Sequence, residues 1–161
     1  MNFFLINLLI FVLIAIPSSF YDIKNLKIPL FYVIFGYFLL LGFYFFHFEF
    51  QFAPFIKKSI IGFALTVLLL ILARLFSNGG LGIGDIIFGG FCGLFLSFPN
   101  CFIGMGISFI CGLIFFLFSK KIKLKKNNGV NIIKIRFVLP YVPFLTVGTL
   151  ISFLLKILVN L

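Results

Sequence analysis

The sequence predicts an all-α, polytopic integral membrane protein of about six transmembrane helices, with glycine- and proline-broken segments on the cytoplasmic side. Two observations carry that expectation. The chain is 63% hydrophobic and only 10% charged, with a mean hydropathy of +1.33, whereas a soluble domain is about half apolar and about a quarter charged. Apolar stretches also recur along the chain at the length of about 20 residues that a membrane helix needs. At 161 residues there is no room for a separate soluble domain, so 1–161 is expected to be one membrane-embedded unit. The 28 phenylalanines reflect a compositional bias toward Phe, Ile, Lys and Asn rather than a cofactor site.

The first span is expected over 3–20. It is not a secretory signal, because no Lys or Arg precedes the apolar run and Ala15-Ile16-Pro17 puts proline where a cleavage site needs a small residue. The second and third spans are expected over 29–48 and 59–76. The fourth, 86–98, is short: at about 1.5 Å per residue it covers roughly 20 Å of a hydrocarbon core of about 30 Å. The deficit predicts that 77–84, which is rich in glycine, enters the membrane as non-helical chain beside protein or a wet cavity. Glycine there would permit positive φ and close backbone approach. The fifth span is expected over 102–118 and the sixth over 137–155. The sixth should start irregularly, since Pro140 and Pro143 interrupt helix hydrogen bonding. No internal repeat is visible, which argues against an inverted-repeat transporter.

Basic residues orient the bundle. With the amino terminus outside, Lys24, Lys27, Arg74 and the seven lysines and arginines of 120–136 face the cytoplasm, against Lys57, Lys58 and Lys156 opposite. The 120–136 stretch reads as a positive-inside anchor touching anionic membrane lipids, and its second half could lie in the interface and frame a substrate. Nucleic-acid binding is not expected of charges in a short membrane-protein loop. Cys92, Cys101 and Cys111 lack metal-type spacing and read as small buried hydrophobes. His47 and Glu49 alone make no metal site, and no metal or other cofactor is implied.

The three acidic residues are Asp22, Glu49 and Asp85. Asp22 ends the first span and Asp85 opens the fourth, so both fall on the cytoplasmic side and can meet. An ionisable group at membrane depth is costly and generally functional. Two such carboxylates suggest a pair sharing one proton, the ionised member taking a proton from water and the protonated member hydrogen-bonding a carbonyl. Singly, each has a plainer reading: Asp22 as a loop residue paired with Lys24, Asp85 as the N-cap of the fourth helix. Glu49 is expected to be solvated in an outer loop.

Gly82-Ile83-Gly84-Asp85 resembles the GxGD motif of membrane aspartyl proteases. The stretch from Asp22 through Lys24 to Ile28-Pro29 resembles the first aspartate motif of type IV prepilin peptidases, and Pro140-Tyr141-Val142-Pro143-Phe144-Leu145 resembles that family's Pro-Phe-Gly-Pro-Phe-Leu segment. Three motifs in order imply an aspartic endopeptidase of the cytoplasmic (inner) membrane. It would remove the basic cytoplasmic leader from pilin-like or archaellin-like precursors just before their apolar helix. The resemblance implies Asp22 and Asp85 as the catalytic dyad, Gly82 and Gly84 as shaping the loop that lets them approach, and Lys24, Pro29, Pro140 and Pro143 as support. Leu30 stands where the family often has Asn, and Tyr141-Val142 where it has Phe-Gly. The cysteine-containing segment of the methylating members has no counterpart, so peptidase activity without methyl transfer is expected. A presenilin-like protease fits less well, because six spans are too few and Pro-Ala-Leu is absent. A proton-coupled transporter or channel using the aspartates as a relay is the alternative from another class, and a small scaffold subunit a third.

Overall fold

A computed structural model describes residues 2–47, 52–76, 81–119 and 140–159. They form α1 (Asn2–Asn25), α2 (Leu30–His47), α3 (Phe52–Phe76), α4 (Ile83–Leu96), α5 (Asn100–Ser119) and α6 (Val142–Val159), with no strand among the described residues. The protein is therefore an all-α polytopic membrane protein. By length and composition Leu5–Asn25, Phe55–Phe76 and Val142–Val159 can each cross a bilayer, while Leu30–Phe46, Ile83–Leu96 and Asn100–Phe115 are shorter apolar helices. The outer face is apolar to a degree that water would not tolerate: Phe31 is 80% exposed and Phe76 87%.

Several boundaries differ from expectation. α1 runs through Asp22 to Asn25, so Asp22 lies inside its last turn; it ends where Leu26 adopts a left-handed φ of 52° and donates its N–H to the Asp22 carbonyl. α3 starts at Phe52 rather than 59, taking Lys57 and Lys58 into the helix. α4 starts at Ile83, so the non-helical segment ends at Gly82 and the helix still spans only 14 residues. In α6 the irregular chain ends at Tyr141, because Pro143 falls in the first turn, where a helix needs no N–H from it. The basic stretch 120–136, Glu49, and residues 77–80 and 137–139 of the expected elements lie outside the described residues.

α4 is the hub. Every residue from Phe88 to Leu96 is buried, and Phe91 and Phe95 hold the other helices by their rings. Phe11 of α1 stacks on Phe95 at 4.4 Å and on Phe91 at 5.8 Å, Tyr37 of α2 meets Phe91 edge-on at 5.5 Å, and Phe153 of α6 tilts onto Phe95 at 4.9 Å. Aromatic pairs at such distances add to plain area burial. Two buried polar contacts help fix register: Asn7 bonds Tyr44 at 3.3 Å, and Tyr37 donates to the Ile87 carbonyl at 2.8 Å.

In lipid, helices associate through close packing of small residues rather than through hydrophobic burial. Here α3 and α4 cross where a Cβ on Gly62 would stand 2.6 Å from the Gly93 carbonyl, and α5 and α6 cross where a Cβ on Gly148 would strike Gly104 and Ser108. Gly148→Ala should therefore destabilise the protein by about 1–3 kcal/mol, read as a lower thermal midpoint in detergent. Gly106→Ala, where a Cβ meets nothing within 4 Å, should leave it within about 0.5 kcal/mol. Equal midpoints for the two variants would contradict this helix crossing.

Candidate active site

Asp22 stands on the inward stripe of α1 formed by Phe11, Ile14, Ala15 and Ser18, and is only 4% exposed. Its neighbours Tyr21 and Ile23 point outward. A carboxylate so placed needs partners, and α6 supplies one: the Val142 N–H donates to Asp22 Oδ2 at 3.2 Å. The backbone around that contact accounts for its donors. Pro143 has no N–H, and the Phe144 and Leu145 N–H groups donate to the Tyr141 carbonyl at 3.1 Å each. Val142 is thus the donor left at the start of α6, where aligned peptide dipoles also favour negative charge.

Asp85 sits in the first turn of α4, 9% exposed, and its Oδ2 accepts the Gly82 N–H at 2.9 Å. The expected N-cap role is displaced by three positions: the helix begins inside the motif, Gly82 is the N-cap, and Asp85 reaches back to it from N3, one half of a capping box. Each carboxylate therefore meets the N-terminus of a helix, Asp22 that of α6 and Asp85 that of its own α4, and is held by one backbone amide. Asp22 is among the charges acting on Asp85, and Asp85 is among those acting on the Tyr141 phenol. The two carboxylates and Tyr141 therefore share one end of the bundle.

The glycines act through size. Gly82 has φ −71° and ψ 152°, an extended backbone open to any residue, so positive φ is not what it contributes. A Cβ on Gly82 would stand 3.1 Å from Asp85 Oδ2, and one on Gly84 would press on Ile28 at 3.0 Å. The close approach at Gly84 is that of the Ile28 side chain, not of another backbone. Ile28 thereby joins the first motif to the second, as Asp22–Val142 joins the first to the third.

The remaining expected residues separate. Pro29 stands just before α2, its carbonyl accepting the Tyr32 N–H at 3.0 Å, and Pro140 lies half-buried just before α6. Lys24 is exposed in the last turn of α1, well placed against the helix dipole. Among the described residues it makes no ion pair with Asp22, whose burial turns the carboxylate inward instead. Reading motifs alone missed the hydroxyls one turn below: Ser19 donates to the Ala15 carbonyl at 2.7 Å, with Thr146 Oγ1 3.4 Å from its oxygen, and Ser18 beside it is fully buried. The four-residue step back from Asp22 was the available signal. No group of three or more His, Cys, Asp or Glu side chains able to hold a metal occurs among the described residues.

A polytopic helical bundle with two buried aspartates on helix ends defines a membrane protein built around a carboxylate pair. Its family follows from comparison: a family model described as the type IV leader peptidase family matches residues 8–117, and the chain belongs to that family. The matched stretch contains Asp22, Ile28-Pro29 and the Gly82–Asp85 motif; the Pro140–Leu145 segment lies beyond it. Neither curated proteins nor solved structures yield a match. The protein is thus a peptidase of the membrane, acting on a protein substrate.

The contact between Gly84 and Ile28 can be tested by a double-mutant cycle on thermal stability. Gly84→Ala should destabilise, and Ile28→Ala in the same background should recover part of the loss, with a coupling of about 0.5–3 kcal/mol. Strict additivity would mean that the two motifs do not touch.

Proposed function

We propose that this chain is a prepilin-type leader peptidase in which Asp22 and Asp85 form the catalytic dyad. The observation that carries the reading is the convergence of the two buried carboxylates at one end of the bundle, within each other's electrostatic reach. Like charges at one site favour a state in which a single proton is shared. The ionised member takes a proton from a water molecule as its oxygen attacks the scissile carbonyl carbon, while the protonated member donates to the carbonyl oxygen. The tetrahedral intermediate then collapses: the C–N bond breaks, the carbonyl reforms, and the leaving amine takes up a proton from the dyad. The pair titrates as a unit, so acid and base belong to the dyad rather than to either residue.

Gly82 and Gly84 let α4 begin close to the α1–α2 connection, which supports their role in bringing Asp85 to Asp22. Pro143, by removing one amide, leaves the Val142 N–H for Asp22, and Pro140 supports the site from the non-helical chain two residues before α6. Lys24, exposed in the last turn of α1, and Pro29, just before α2, support it. The whole chain 1–161 works as one peptidase unit in the cytoplasmic membrane, with its amino terminus outside and the dyad facing the cytoplasm, as the distribution of lysine and arginine supports. The substrate is a pilin-like or archaellin-like precursor, cut between basic leader and apolar helix, with no methyl transfer to the new terminus. A proton relay for transport is less well supported, because both carboxylates lie at the same end.

Co-expression with a tagged pilin-like precursor tests the assignment by gel shift and product mass. Wild type should cut at the leader–helix boundary. Asp22→Asn and Asp85→Asn should each lower the rate by about a hundredfold or more, at unchanged membrane insertion and thermal midpoint. Processing by either variant at the wild-type rate would refute the dyad. The wild-type rate should also follow a bell-shaped pH profile with two macroscopic limbs, since exactly one proton must be shared; a rate independent of pH through the acid range would count against it.

A further inference from the structure

α2 and α3 both pack on α4 but hardly touch each other, and between them α4 forms the floor of a groove. The cavity there is about 370 Å³, lined by Tyr37 of α2, Phe63 and Val67 of α3, and Ile86 and Ile87 of α4. All five are half-buried, and the cavity is open on its outer side. Its lining is apolar throughout. The one hydroxyl among these side chains, that of Tyr37, is spent on the Ile87 carbonyl at 2.8 Å. The two walls meet where the Tyr37 ring stands edge-on to Phe63 at 5.9 Å. Gly90, one turn further along α4, makes room for that meeting: a Cβ there would stand 2.6 Å from the Tyr37 oxygen and 2.7 Å from Phe63.

The groove abuts the dyad. Ile86 and Ile87 follow Asp85 directly, so at about 1.5 Å per residue its floor starts within about 3 Å of Asp85 along the α4 axis. Phe63 and Val67, four residues apart, form a ridge along one face of α3. A precursor whose scissile bond lies at Asp85, and whose next residues are an apolar helix, must carry that helix from the dyad into the bilayer beside α4. Lipid chains can cover any apolar face of the bundle, whereas a substrate helix needs the face that adjoins Asp85. The volume falls within the roughly 300–1,000 Å³ of ligand sites, and the open side admits a helix that diffuses laterally in the membrane. We propose that the groove between α2 and α3 receives the first turns of the precursor's apolar helix, with Val67 and Ile86 among its contacts. The inference rests on the leader peptidase reading above and adds to it the surface that holds the substrate. Recognition is then of the helix-in-groove kind, in which side chains three and four residues apart are read by their packing.

The test uses wild type, Val67→Phe and Ile110→Phe reconstituted in liposomes with a pilin-like precursor. Val67→Phe narrows the groove and should raise KM by about tenfold or more at a kcat within about twofold of wild type, the cost of one misfitting group in an apolar site. Ile110→Phe, on the outward face of α5 where Ile110 is 58% exposed, should keep both constants. A second arm adds no bulk: with one cysteine in the first turns of the precursor's helix, copper phenanthroline should link it to Val67→Cys. Ile110→Cys should not be linked, nor wild type, whose Cys92 and Cys101 are buried. This arm decides if Val67→Phe lowers the thermal midpoint. If wild type cuts the precursor, the inference is overturned by an unchanged KM in a stable Val67→Phe protein. Failure of Val67→Cys to link, as when lipid alone fills the groove, or its linking only to a second copy of itself, would overturn it too; in each case the peptidase reading stands. A wild type that leaves the precursor uncut would overturn both.

Discussion

The hydrogen bond from the Val142 amide to the Asp22 carboxylate is the constraint on which the rest of the site depends. It joins positions 120 residues apart and ties the end of α1 to the start of α6. A carboxyl group 4% exposed in an apolar bundle is tolerable only where its lone pairs are met. The free amides of a helix N-terminus are well suited to meet them. The sequence around Val142 preserves that donor: Pro143 offers no competing N–H, and the two amides that follow are taken by the Tyr141 carbonyl. Asp85 repeats the arrangement on a smaller scale, with α4's own N-cap amide as donor. Both carboxylates are thereby held by backbone, whose position is set by helix packing rather than by rotamer choice.

Packing in turn depends on what is left out. Glycine faces glycine where α3 crosses α4 and where α5 crosses α6, so backbones approach within reach of dispersion contacts that lipid would otherwise supply. The aromatic rings of Phe11, Tyr37, Phe91, Phe95 and Phe153 fill the centre. The bundle thus has a rigid apolar lower part and, above it, a shelf of hydroxyls carrying the two aspartates. Membership of the type IV leader peptidase family fits this division, since a hydrolase of the membrane must hold water against a surrounding that excludes it.

Much of this was legible in the chain. Hydropathy alone separates the six helices, because a helix in lipid must satisfy its backbone internally and be apolar over most of its length. The two aspartates stand out because so few acidic residues accompany them. Helix ends were less legible. α1 continues five residues past the last apolar position expected of it, since Tyr21 to Asn25 can extend a helix whose inner face is already docked against α6. α4 starts inside its glycine motif because Asp85 caps it from N3. Composition carries no sign of either event.

The sequence by itself determined that this is a helical membrane protein, that its few carboxylates include two where apolar chain meets polar, and that glycine and proline interrupt the chain near them. Those properties reside in local chemistry: apolar length, charge and missing N–H groups. Tertiary structure alone decided that Lys24 faces outward while Asp22 faces in. It also decided that Ile28 rather than a backbone fills the space over Gly84, and that Ser18 is buried with its hydroxyl unspent. Each of these depends on which helix lies opposite, and a side chain's neighbour across a bundle leaves no mark in its own stretch of chain.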